Sequence, residues 1–176
     1  MEGATGGRPR RVGLRGRWAR RFGLTNIAAS VYGLILMLAL LVVNAATAKN
    51  LTQVAVTLLV TGFVFWVAHV YANILEAHTR VRRRLTRAEV RAELDEEWPL
   101  VGVGIPPVLV ILVADLLHAD RATAIWLAMI LCLVELVVIG VVMARRSGYG
   151  WRATTVIALL NLGFGLLIVA LKVFVH

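Results

Sequence analysis

Lysine is nearly missing from this chain: of nineteen basic residues, two are Lys and seventeen are Arg. Charge of either sign is scarce too, at 16% of 176 residues, where a soluble domain carries about a quarter. The single cysteine, Cys132, lies inside an apolar run. It excludes an intramolecular disulfide, gives no sign of an oxidising compartment and reads as a small hydrophobe. Also missing are a paired-histidine zinc motif, a phosphate-binding glycine loop, a nucleophile elbow and a dinucleotide fingerprint. The glycines of "VGVGIPP" follow no strand and open no nucleotide turn. His69, Glu76 and Glu135 are metal-ligand types, but one histidine with no second at i+4 makes no metal site. The expectation is a protein that is not an enzyme and has no cofactor.

What the chain has in quantity is apolar sequence, 60% of residues, with a mean hydropathy of +0.81. The net charge of +9 comes from arginines that flank apolar runs. No aromatics are interleaved for base stacking, which argues against nucleic acid and for anionic lipid headgroups. Residues 1–22 are rich in Gly and Arg with no apolar period, and read as a disordered basic tail. "GLTNIAASVYGLILMLALLVVNA" follows, long enough at about 1.5 Å per residue to cross a core of about 30 Å. It is longer than the apolar core of a secretory signal, so it reads as an uncleaved first span.

The predicted fold is all-α: a polytopic membrane protein with five transmembrane helices in a domain over 23–175. The spans fall at about 23–45, 51–75, 99–117, 122–144 and 153–174. Between the second and third lies the only sizeable loop. Thr86 and Glu89 have capping-box spacing there, predicting an amphipathic helix over about 86–98. Its stripe of Val90, Leu94 and Trp98 is suited to the membrane surface. Asp95, Glu96 and Glu97 would then complement the dipole of a third span opened by Pro99. Asp120 is the expected cap of the fourth span, and "RRSGYGWR" is a glycine turn.

Orientation follows from the base. Sixteen Lys and Arg fall in the tail, the 77–98 loop and the 145–152 turn, against three on the other side, Lys49, Arg121 and Lys172. The positive-inside rule puts the N-terminus in the cytoplasm and His176 outside.

Ionisable groups at membrane depth cost about 2.5–3.5 kcal/mol each on insertion scales and mark candidate sites. Counting inward from the charged flanks puts His69 roughly 10 Å deep, Glu135 roughly 15 Å and Asn161 roughly 14 Å, with Tyr32 at a similar level. Asn73 and Glu76 share the helix face of His69, Glu76 near the interface. Glu135 has no polar neighbour in its own helix, so it must find a partner on another or carry a proton. Pro106 and Pro107 break the third span, freeing the carbonyls of Gly102 and Val103. Such a break either lines a polar cavity or fits helices together. Near the outer face two readings stand for Lys172: it pairs with Asp115, or it snorkels to the interface, the favoured of the two.

The stretches "VFWVAHVYA", "EEWPLVGVGIPP" and "LLIVALKVFVH" together resemble small multi-pass membrane proteins of high-GC actinobacteria. That resemblance implies the bacterial inner membrane and no particular activity. Phe65, Trp66 and His69 are also similar to the Phe-Trp-x-x-His of a potassium-channel family. Its first-span signature is replaced here by "IAASVYG", so no filter residue carries over. Two functions are expected. One is a small proton- or cation-handling transport protein, built as a homo-oligomer, with His69 and Glu135 as relay groups. The other is an accessory protein binding another membrane complex, its polar groups locking the helices.

Overall fold

The structure, a computed structural model, describes residues 26–81 and 86–175. The basic tail expected at 1–22 and Arg82 to Arg84 of the loop lie outside them. The described residues form six helices and no strand: α1 Ile27–Thr47, α2 Leu51–Val81, α3 Arg87–Gly102, α4 Ile105–Leu116, α5 Arg121–Arg146 and α6 Trp151–Val175. Four of them, α1, α2, α5 and α6, are long and apolar enough to cross a membrane, and α3 with α4 makes a fifth if that bent pair is one span.

Local signals set the ends. Asn26 caps α1, its Oδ1 accepting from the Ala29 amide at 3.1 Å. Thr86 and Glu89 form the reciprocal capping box of α3, so the expected start at Arg87 holds. Asp120 caps α5 through the Thr123 amide, 3.1 Å away. That amide, the largest influence, holds the Asp120 carboxyl below its ordinary range. Gly148, at φ 76°, closes α5 with two bonds, Tyr149 N–H to the Ala144 carbonyl and Gly148 N–H to that of Arg145. These are the paired bonds of a left-handed C-terminal cap. His118 makes the same cap on α4 at φ 54°, without glycine's freedom.

α1 sits at the centre, packed against α2, α3, α5 and α6. It turns Ala29, Gly33, Leu34, Met37, Leu38 and Leu41 inward at helical spacing. α5 likewise buries Ala124, Ala128, Cys132, Leu136 and Gly140, and exposes Trp126, Leu127, Ile130, Val134 and Val138. The buried face of α5 mixes small residues with Ile125, Met129 and Ile139, while these exposed residues are all apolar, as on a lipid-facing helix surface.

The third span departs from the expected boundary. α3 runs through Pro99 rather than stopping before it, and ends at Gly102. The carbonyl that loses its amide there belongs to Asp95, an exposed residue. The break comes at Val103 and Gly104, where the chain bends by 43°. Pro106 and Pro107 do not interrupt a helix; they lie in the first turn of a new one. Their missing amides are among those that a helix start leaves unpaired.

Packing explains the bend. A Cβ on Gly33 would stand 2.6 Å from the Leu100 carbonyl oxygen, so α1 and α3 meet backbone to backbone. The methyl end of Met37 fills the space over Gly62 and Gly104. The break fits helices together here.

Candidate functional site

Two hydrogen-bonded ties mark the ends of the bundle. At one, the Thr52 hydroxyl donates to Asp115 Oδ2 at 3.0 Å, joining the start of α2 to the end of α4. Asp115 therefore has a partner other than Lys172, whose side chain lies outside the described residues.

The other end is built on Glu97. Glu97 is only 4% exposed. Its Oε1 accepts from Asn26 Nδ2 at 3.2 Å and from Asn73 Nδ2 at 2.9 Å. One carboxylate oxygen thus binds α1, α2 and α3 together. Its second oxygen, Oε2, is buried with no hydrogen-bond partner, as is the indole nitrogen of Trp66 on α2. Trp66 meets Trp98 edge-on, ring centres 5.6 Å apart at 89°. Glu97 was expected only as one of three acids near a helix start. What hid it was the boundary placed at Pro99. With the helix continued, Glu97 falls three residues after Leu94 and three before the buried Leu100, on one face.

One turn deeper on α2, the His69 ring lies against Tyr32 of α1, centres 5.5 Å apart at 32°. Phe65 reaches the same tyrosine at 6.3 Å. His69 and Tyr32 therefore meet at the α1–α2 seam, Asn73 one turn further along α2 reaches Glu97 of α3, and Glu76 is exposed beyond them.

Glu135 and Asn161 stand elsewhere. Glu135 Oε2 is buried without a hydrogen-bond partner. Asn161 on α6 presses its amide onto Gly140 of α5, filling the space where a side chain would be. α5 packs on α1, α4 and α6, whereas α2 packs on α1, α3 and α4. No substantial interface joins α2 and α5, and α1 packs against both. The residues expected at one depth thus lie at different places around the bundle, His69 and Tyr32 where α2 meets α1 and Glu135 and Asn161 on the packed pair α5 and α6. Counting residues along a helix gives height and says nothing of azimuth.

Among the described residues no three His, Cys, Asp or Glu side chains come together as a metal site. No protein family matches this sequence, and no curated protein or solved structure does.

Proposed function

We propose that the chain is a non-catalytic accessory protein of a bacterial inner membrane, crossing it five times with its N-terminus in the cytoplasm and binding another membrane protein. The observation that carries the accessory role is the Glu97 oxygen shared by Asn26 and Asn73. It is a polar group used to hold three helices, not to line a path. The filling of the break by Met37 supports the same reading.

Five crossings are supported by the two ties. Along α2, Thr52 to Asn73 is a rise of about 31 Å, and the bent α3–α4 pair covers the same interval from Glu97 to Asp115. A re-entrant loop would return to the level it left. Orientation rests on the sixteen basic residues gathered at alternate ends.

For the partner, the favoured surface is that of α5 and α6, since α6 is the least enclosed of the long helices. Ile130, Leu133, Val134, Val137, Val138 and Leu162 line an apolar groove of about 340 Å³ there. A second reading, proton or cation handling, is favoured by one feature, the buried and unpartnered Oε2 of Glu135. Reconstitution separates the two. The accessory reading predicts no proton or cation flux through liposomes holding the wild-type protein. Flux that falls in Glu135→Gln, with folding intact, would replace it with the transport reading.

A further inference from the structure

The cytoplasmic half of α3 carries Arg87, Val90, Arg91 and Leu94 along one side, at the three- and four-residue spacing that stacks side chains on a helix. They line an open groove of about 460 Å³. Both arginines are exposed, and neither has a hydrogen-bonding or ionic partner among the described residues. Glu93, Asp95 and Glu96 stand on the same helix but do not line the groove. One turn past Leu94 comes Trp98, 41% exposed.

Height fixes what this stripe meets. If the tie of Thr52 and Asp115 marks one hydrocarbon boundary, Glu97 and Asn73 mark the other, about 31 Å away, against a core of about 30 Å. Leu94 then lies at most about 5 Å beyond the core and Arg91 at most about 9 Å, within the headgroup zone. From Trp98 outward the stripe runs aromatic, aliphatic, cationic. An anionic phospholipid presents the complementary sequence of acyl chain, glycerol and phosphate.

We propose that α3 binds one anionic phospholipid, its phosphate held by the guanidiniums of Arg87 and Arg91 and its acyl chain laid past Leu94 toward Trp98. Two guanidiniums a turn apart supply charge-assisted donors to phosphate oxygens. The site rests on the membrane-spanning reading above.

The test is native mass spectrometry of the full-length protein, exchanged in detergent with equal phosphatidylglycerol and phosphatidylcholine. Phosphatidylglycerol should be retained in preference. The double variant Arg87→Ala/Arg91→Ala should bind it about 30-fold more weakly, the combined effect of two interfacial cations. Arg145→Ala/Arg152→Ala, which removes the same charge from the 145–152 turn, should keep most of the binding. A tenfold excess of inorganic phosphate should displace nothing. Equal retention of the two lipids, equal loss in both double variants, or displacement by phosphate overturns the site. Carbonate-resistant membrane association of the wild type, measured alongside, is lost only if the spanning reading itself fails.

Discussion

Replacing Glu97 with alanine strips two half-buried asparagine amides of their shared acceptor. Unpaired buried donors cost about 1–3 kcal/mol each. Glu97→Ala should therefore destabilise the detergent-purified protein by about 2–4 kcal/mol, read from its thermal midpoint. Glu97→Gln keeps one oxygen for both amides, so its loss should be less than half as large. Equal losses in the two variants would show that the carboxylate charge, not the shared acceptor, holds the helices. His118 offers a change of opposite sign. It closes α4 in a left-handed conformation, φ 54°, that costs a side-chain-bearing residue about 1–2 kcal/mol. His118→Gly should raise stability by about 1 kcal/mol, and a fall would mean that the imidazole makes contacts outweighing the strain.

Among the elements, what could be read from sequence was what is decided within a few residues. The capping box at Thr86 and Glu89, the Asp120 cap and the Gly148 turn each need only neighbours along the chain. The join of α3 to the third span could not be read, because proline favours a first helical position. It is tolerated inside α3, where the carbonyl it deprives of an amide belongs to an exposed residue, Asp95. Glu97 went with it: an acid in an acidic run looks solvated unless the helix continues past it. The contact of Gly33 with Leu100 depends on two helices far apart in sequence. Gly33→Ala should place a methyl 2.6 Å from that carbonyl oxygen and force α1 off α3, at a cost of about 1–3 kcal/mol. A neutral Gly33→Ala would mean that the seam is looser than described. The α5 cap carries a pH dependence. Because the Thr123 amide holds the Asp120 carboxyl low, its support is present above the unfolded carboxyl's range. It is lost as pH falls through the folded value. Exchange of the Thr123 amide should accelerate over that acid interval and, in Asp120→Asn, should not.

At the scale of the whole molecule, five crossings and four make opposite statements about the bent pair. Four crossings would return the chain, after Leu116, to the side on which α3 began; five would deliver it to the other. His69 lies against Tyr32 of α1, and α2 shares no substantial interface with α5, which carries Glu135. That is why the two residues are assigned no common role. The discriminating measurement is labelling of intact cells with a membrane-impermeant thiol reagent, using Cys132→Ala as background and single cysteines introduced as Ala88→Cys and Ala119→Cys. Both positions are exposed, one near the start of α3 and the other just past the end of α4. Ala119→Cys should label in intact cells, and Ala88→Cys only after the cells are opened. Equal labelling of the two in intact cells, or protection of both, would contradict the account.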